Sequence, residues 1–334
     1  MKLLPILAAA LGIAAMAVLV GMFGVGAVLR SLAAVGGGGF AAICAFHLIL
    51  IAAMGIAWRA LLPGGRSWVA IWGRLVRDSA SDVLPLSQVG GYVVGARAMA
   101  LAGVPGTTAA ASTIVDVTLE FLAQLAYTAL GLAWLIHLQP ETAAAGPLML
   151  GLAVGLAAGA AFVLVQRRGF FLFDLIARAL GQGWASKTAA GAAALHATLG
   201  DIYRHKGGLI VSFALHLVCW MASAAEVWLA LRLAGQPLPF VTVVAIESLI
   251  YAARTAAFFV PNAVGVQEGA YILLGASFGV TPEMALALSF LKRARDIAIG
   301  LPTLGAWQAV EGGRLWRRGA AAPATADVTG LRRD

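Results

Sequence analysis

Acidic and basic side chains recur inside segments of this chain that are otherwise strongly apolar. Asp116 and Glu120 are four residues apart and would share one face of a helix, as would Lys292 and Asp296. In a wet cavity such carboxylates could exchange protons or bind a cation. The alternative for each is a structural ion pair, because a buried charge needs a partner. For Asp116 and Glu120 that partner would be Arg97 or an arginine of the other half of the chain.

Basic residues in or near the apolar segments suggest a second kind of chemistry. They are Arg97, Arg254, Lys292, Arg293 and Arg295. Carboxylates could neutralise some of them, Glu247 by bridging to Arg254 on the same helix face. The remainder would suit an anionic group such as phosphate, which arginine binds through two hydrogen bonds. For Arg293, extension of the side chain to the membrane surface is the alternative.

Two stretches rich in glycine and proline interrupt the apolar segments. The first, DVLPLSQVGG, contains Asp82, Pro85, Ser87, Gly90 and Gly91. The second, VPNAVGVQEG, contains Pro261, Asn262, Gly265, Gln267 and Glu268. Irregular backbone at membrane depth is tolerated only where it is buried in protein or lines a cavity. Both stretches are therefore predicted to line a polar cavity within the bilayer.

The composition places these residues in a membrane protein. The chain is 61% hydrophobic and 11% charged, with a mean hydropathy of +0.90, whereas soluble domains are about a quarter charged. No exposed basic domain is available for nucleic acid. Cys44 and Cys219 stand far apart, and the histidines lack metal-ligand spacing, so neither a disulfide framework nor a metal or other cofactor is predicted. Glu226 stands by itself in an apolar run.

The elements that position the charges are predicted to be about eight transmembrane helices, with seven to about nine compatible with the pattern. A single transmembrane domain of 1–311 is expected, with a retained first span that starts at Leu3 and a glycine turn at 36–39. The basic loops 58–82 and 166–207 are predicted to be cytoplasmic, and 137–146, which lacks Lys and Arg, to face away. An amphipathic surface helix is expected near 170–180. A disordered basic tail over 312–334 is expected, with both termini cytoplasmic.

An internal echo accompanies this pattern. A shift of 176 residues places Pro85 on Pro261 and Glu120 on Asp296. Repeat halves of about 40–136 and 208–311, each with an interrupted segment, are typical of a transporter site at a repeat interface. Chance similarity is the alternative. Two re-entrant segments would place the basic tail outside by the span count above, so eight spans with a fully crossing second segment are favoured.

Several segments together resemble a known family. DVLPLSQVGGYVVGARA, STIVDVTLEFLAQ, AIESLIYAARTAAFFVPNAVGVQEGAY and LSFLKRARDIAIGLP are similar to the flippase-like membrane family related to the transmembrane region of lysylphosphatidylglycerol synthases. The resemblance implies lipid handling in the bacterial inner membrane, with a link to hopanoids. The matching positions are Asp82, Pro85, Ser87, Gly90, Gly91, Arg97, Asp116, Glu120, Glu247, Arg254, Pro261, Gly265, Gln267, Glu268, Lys292, Arg293, Arg295 and Asp296. The soluble aminoacyl-transfer domain of the synthases has no counterpart here, so an enzyme is not expected.

Three functions are compatible with the sequence. The leading hypothesis is a translocase that moves an anionic or glycosylated lipid between leaflets through the charged cavity. A non-catalytic partner of lipid-synthesis or export proteins is the first alternative. The second is an enzyme that modifies lipid head groups, with Asp116, Glu120 or Glu268 as its acid or base. Membrane lipids are the expected partners in each case, and a homo-oligomer is compatible with all three.

Overall fold

The computed structural model describes residues 25–62, 64–84, 88–141, 145–168, 182–257 and 260–320. Over these ranges the regular structure is helical throughout. Its ten α-helices are α1 (Val25–Arg59), α2 (Ser67–Val83), α3 (Gln88–Leu101), α4 (Gly106–Leu138), α5 (Ala145–Arg168), α6 (Gln182–Arg204), α7 (Lys206–Leu233), α8 (Phe240–Ala256), α9 (Val266–Ala276) and α10 (Pro282–Ala320). A 3₁₀ turn, Pro261–Ala263, lies between α8 and α9.

Four of the described helices, α1, α4, α5 and α7, are long and apolar enough to cross a membrane by length and composition. Large apolar side chains on α5 face outward, with Leu150 and Val154 each at least 60% exposed. An outward apolar surface of this kind is what a helix needs in contact with lipid. The prediction of an all-helical, polytopic membrane protein is confirmed.

Helix α1 contains the predicted glycine turn. Gly36 has φ 70° and ψ 164°, so the backbone leaves helical geometry there and the two parts of α1 meet at a kink. Such a positive φ is readily available only to glycine. The predicted first span falls largely on residues 1–24, and those lie outside the described residues.

The basic segment 58–82 is not the loop that its arginines suggested. Most of it forms α2, and Arg74 and Arg77 are buried at 3% and 2% exposure. The prediction was wrong here because clustered arginines are typical of cytoplasmic loops, whereas these two face carboxylates of another helix. The tail also differs from expectation, since α10 continues as helix through Ala320. The predicted amphipathic helix near 170–180 lies outside the described residues.

The internal echo is visible in the backbone. Helices α4 and α10 begin at Gly106 and Pro282, which are related by the predicted shift of 176 residues. The turns before them share one hydrogen-bond pattern, in which Val104 N–H donates to Met99 O (3.2 Å) and Val280 N–H donates to Gly275 O (2.9 Å). Both turns contain a glycine with positive φ, at 103 and 279. The chain therefore contains two helix triplets of like order: the first triplet is α2, α3 and α4, and the second triplet is α8, α9 and α10.

The two triplets pack crosswise. Helix α2 of the first contacts α10 of the second, and α8 of the second contacts α4 of the first. Glycines permit both close approaches, because a Cβ at Gly300 would lie 2.4 Å from the side chain of Val83, and a Cβ at Gly131 would meet Ser248. Reciprocal packing of this kind brings α2, α4, α8 and α10 together at the centre of the molecule. Helices α1 and α7 complete this centre.

Helices α2 and α3 form a close antiparallel hairpin, which makes Gly91 sensitive to substitution. A Cβ there would lie 1.9 Å from Ser81 Oγ and 2.8 Å from the carbonyl oxygen of Arg77. We expect Gly91→Ala to destabilise the purified protein by about 1–3 kcal/mol. Gly269→Ala is the matched control, since a Cβ at Gly269 meets nothing within 4 Å and alanine is the better helix former. Thermal unfolding in detergent measures both, and equal midpoints would contradict the close packing of α2 and α3.

Candidate functional site

A cavity of about 270 Å³ lies between the two triplets. Its walls come from α1, α2, α4, α7, α8 and α10, with Tyr92 of α3 and Phe162 of α5 at its edge. The ionisable side chains that line it are His47, Arg77, Asp78, Asp82, Glu120, Arg254, Arg295, Asp296, Tyr92 and Tyr251. A polar cavity inside a helix bundle with an apolar exterior is the predicted arrangement.

The first group of charges, here called the first cluster, joins α2 to α4. It consists of Arg74, Arg77 and Asp78 on α2 with Asp116 and Glu120 on α4. Glu120 accepts two hydrogen bonds from Arg74, at 3.0 and 2.6 Å, and another from Arg77. Asp116 accepts from Arg77 at 2.7 Å. The partners of the predicted Asp116–Glu120 pair are therefore arginines of the same half of the chain, and neither Arg97 nor the other half supplies them.

The first cluster is closed by groups that the sequence pattern did not suggest. His216 on α7 lies with Nε2 2.9 Å from Asp116 Oδ1, and both side chains are fully buried. The guanidinium of Arg77 stands 4.7 Å from the ring centroid of Tyr92, within the range of a cation–π contact. Several partners thus share each charge, as burial at low dielectric requires.

A second cluster joins α1, α7 and α10. Arg295 donates to Asp296 Oδ1 through Nε (3.1 Å) and Nη2 (2.7 Å), and its Nη1 donates to Glu226. The other oxygen of Glu226 lies 2.8 Å from Nδ1 of His47. The predicted pair of Lys292 with Asp296 does not form, because the neighbouring Arg295 is the partner of Asp296. Glu226, which stands by itself in the sequence, is central to this second cluster.

A buried triad holds the second triplet together. Lys292 Nζ lies 2.5 Å from Glu247 Oε2 and 3.1 Å from the hydroxyl of Tyr271, which itself donates to Glu247. All three side chains are at most 4% exposed. The predicted Glu247–Arg254 bridge is replaced by this triad, since Glu247 faces α9 and α10. None of the three lines the cavity.

A loose contact joins the two triplets across the cavity. Arg254 Nη2 is 4.0 Å from Asp82 Oδ1 and donates to Asn262 Oδ1 at 3.1 Å. The amide of Asn262 in turn donates to the backbone oxygen of Asp82 at 2.9 Å. Asp82 and Arg254 both line the cavity. Of the ion pairs described around the cavity, theirs is the longest, which leaves these two groups able to change partners.

The turn before α9 is fixed by Glu268. Its carboxylate accepts from Gly265 N–H (2.7 Å), from Ser289 (2.8 Å) and from Arg293 (2.8 Å). Gln267 donates to Ser289 at 2.6 Å. Arg293 therefore points to a buried carboxylate, and the alternative of a side chain extended to the membrane surface does not apply. This network positions the interrupted segment and lies beside the cavity without lining it.

The predicted site residues thus divide into groups. Asp82, Glu120, Arg254, Arg295 and Asp296 line the cavity. Asp116, Glu247, Gly265, Gln267, Glu268, Lys292 and Arg293 support it from behind, and Asn262, which follows Pro261 in the 3₁₀ turn, ties the triplets together. Gly90 and Gly91 lie in the first turn of α3. Pro85 and Ser87 lie outside the described residues.

Arg97 is separate from the cavity. Its side chain is half exposed and pairs with Glu311 at 2.8 Å. The interaction joins α3 to the distal part of α10, so it belongs to the periphery of the bundle. A head-group role for Arg97 receives no geometric support.

The cations that were expected to be in surplus have acidic partners. Arg74, Arg77, Arg254, Lys292, Arg293 and Arg295 each lie within 4.0 Å of a carboxylate. In the described interior, these six cations face eight acidic side chains: Asp78, Asp82, Asp116, Glu120, Glu226, Glu247, Glu268 and Asp296. The expected excess of positive charge is reversed, because each arginine recruits one or more buried carboxylates.

Sequence reasoning missed Arg74, Arg77, Asp78, Glu226 and His47. A signal for the first three was present: Arg74 and Asp78 are four residues apart, and Arg77 shares their helix face. No comparable local signal marks Glu226, whose partners His47 and Arg295 are 179 and 69 residues away.

The fold and this interior define a helical membrane protein that encloses a charged cavity between two repeated helix triplets. Residues 6–302 match the family model described as lysylphosphatidylglycerol synthase TM region. The chain belongs to this family. Comparison with curated proteins finds no match, and comparison with solved structures also finds none.

Proposed function

We propose that this protein is a lipid translocase that carries a polar head group through the cavity between its two triplets. Membership of a family of lipid-synthase membrane regions supports a lipid substrate. The observation that carries the proposal is the cavity itself, whose charged lining lies inside a bundle that presents apolar side chains outward. Charges within a membrane domain mark substrate or ion pathways. The bacterial inner membrane is the proposed location.

The triplets support an inverted arrangement with two re-entrant hairpins, α2–α3 and α8–α9. Helices α2 and α8 are 17 residues each, and α3 and α9 are 14 and 11, shorter than the roughly 20 residues of a full span. With α1, α4, α5, α7 and α10 crossing, the loops rich in arginine and the basic end of α10 fall on one side, and 139–144 falls on the other. This arrangement satisfies the positive-inside bias. It replaces the eight-span count by assigning α8 to a hairpin.

The lining favours a hydroxyl-rich head group over a purely anionic one. Carboxylates already occupy the arginines, so a phosphate would have to displace them. Sugar hydroxyls can donate to Asp82 and accept from Arg254 or Gln124 without breaking the clusters. The rings of Trp220 and Tyr251, in edge contact at 4.6 Å, supply an apolar wall. A glycosylated lipid is therefore the proposed cargo, with an anionic lipid as the other candidate; the sequence likeness to the hopanoid-associated protein HpnL suggests hopanoid lipids as donors to test.

A leaflet-exchange assay tests this function. Purified protein is reconstituted in vesicles with fluorescent glucosyl diacylglycerol, phosphatidylglycerol or phosphatidylcholine, and outer-leaflet label is quenched. We expect glucosyl lipid to exchange fastest, and Arg254→Gln to slow its exchange about tenfold, the effect of losing one charged hydrogen bond. Arg97→Gln is the matched control because Arg97 lies away from the cavity, and its rate should equal that of the wild type.

Other outcomes would redirect the assignment. Equal rates for empty and protein-containing vesicles, with every probe, would contradict the translocase. A covalently altered lipid recovered from the vesicles would indicate a head-group-modifying enzyme. If Arg254→Gln behaves as wild type in vesicles and in cells, the non-catalytic partner of lipid-synthesis proteins becomes the better explanation.

A further inference from the structure

The two clusters share an unbalanced charge and a histidine. In the second cluster, Arg295 faces both Glu226 and Asp296, which leaves one negative charge in excess. In the first cluster, two arginines face three carboxylates, with the same excess. Each cluster contains one histidine in hydrogen-bond contact with a carboxylate, His47 on Glu226 and His216 on Asp116. One proton on each histidine would bring each cluster to neutrality, which a low-dielectric interior favours.

His47 is placed to exchange that proton. Its Nδ1 lies 2.8 Å from Glu226, and because an ionised carboxylate only accepts, Nδ1 carries the hydrogen. The second ring nitrogen, Nε2, then has a lone pair that can take a proton. The side chain lines the cavity and is 21% exposed. A proton in the cavity can therefore reach His47 directly.

His216 provides the contrast. It makes the equivalent contact with a carboxylate at 2.9 Å, but it is fully buried and is not part of the cavity lining. Its position gives it no route to the cavity. The two histidines thus share a chemical environment and differ in access.

The charged groups around His47 come from every helix that packs against α1 and from α8 across the cavity. They are Glu226 on α7, Arg295 and Asp296 on α10, Arg77, Asp78 and Asp82 on α2, Glu120 on α4 and Arg254 on α8. Acidic groups are in the majority among them, so the local field favours the imidazolium.

We propose that His47, held by Glu226, is a proton-binding site that exchanges with the cavity and couples lipid movement to proton movement. This inference rests on the proposed translocase. A proton from the cavity binds Nε2 of His47, the second cluster becomes neutral, and the lipid head group crosses with the proton. Release of the proton on the other side restores the negative charge. Carrying a neutral cluster through the bilayer avoids the cost of an uncompensated buried charge.

The test uses the same vesicles with a pH difference of one unit across the membrane. One proton carried with each lipid is expected to enrich fluorescent glucosyl lipid in the leaflet on the alkaline side about tenfold at steady state. His47→Gln, which keeps an amide donor for Glu226 but cannot bind a proton, should abolish this enrichment. His216→Gln is the matched control and should retain it, and His205→Gln, at an exposed position, replaces that control if His216→Gln does not fold.

Two results would overturn the coupling. One is exchange by the wild type that reaches equal leaflets, or enriches the acidic side, despite the gradient. The other is enrichment by His47→Gln equal to that of the wild type. If no probe exchanges, the translocase fails, and the proton site is tested separately by ¹⁵N NMR of histidine-labelled protein in detergent. An imidazole signal that titrates and is missing from His47→Gln supports the site, and its absence overturns it.

Discussion

Glu120→Gln is expected to be among the most destabilising single changes in this protein. The carboxylate holds both Arg74 and Arg77 through three hydrogen bonds, and the amide would present an N–H₂ group to guanidinium donors. Removing one partner of a buried charge network costs about 3–5 kcal/mol. We expect the thermal midpoint of the purified protein to fall sharply and lipid exchange to be lost with it.

Glu311→Gln is the matched control for that experiment. It makes the same chemical change at the partner of the half-exposed Arg97, where an ion pair is worth about 0–1 kcal/mol. Its midpoint should remain within a few degrees of the wild type. Equal midpoints for the two variants would show that Glu120 does not hold the first cluster together.

The second large effect is expected at the Lys292–Glu247 pair. Lys292→Met leaves Glu247 buried beside Tyr271 without its cation, at a cost of about 3–5 kcal/mol. Adding Glu247→Gln removes the orphaned charge, so the double variant should recover most of the lost stability. A double-mutant cycle on thermal or denaturant unfolding measures the coupling, which we expect to exceed about 2 kcal/mol.

This pair also separates structural charges from charges that act on a substrate. Neither Lys292 nor Glu247 lines the cavity, so the refolded double variant is expected to exchange lipid like the wild type. Additive destabilisation by the two changes would contradict a private ion pair. Loss of exchange in a stable double variant would place the triad in the transport path.

These expectations share one physical cause. The protein places its charges inside and its apolar side chains outside, because the hydrocarbon core offers no water to satisfy an ion. The cost of each buried charge is offset only by a partner at hydrogen-bond distance. The clusters are consequently both the most expensive and the most specific contacts in the fold. A cavity lined by one edge of each cluster can then respond to a change in a single charge, such as the protonation of His47.

The sequence alone determined a good part of this organisation. Composition and segment length indicated an all-helical membrane protein, and the echo at 176 residues predicted the paired turns found at Gly103 and Gly279. The charges of α4, α8 and α10 were selected correctly as interior groups, since a charge in an apolar segment has few other places to go. Re-entrant orientation and cargo remain predictions.

Only the tertiary structure decided which charges meet and which face the cavity. Helix-face rules reach three or four residues along the chain, whereas Glu226 meets His47 and Asp116 meets His216 across separations of 179 and 100 residues. The same limit caused α2 to be interpreted as a loop, because its arginines have partners 39 to 46 residues away. Partner choice depends on how α2, α4, α7 and α10 cross, and that crossing is set by packing throughout the bundle.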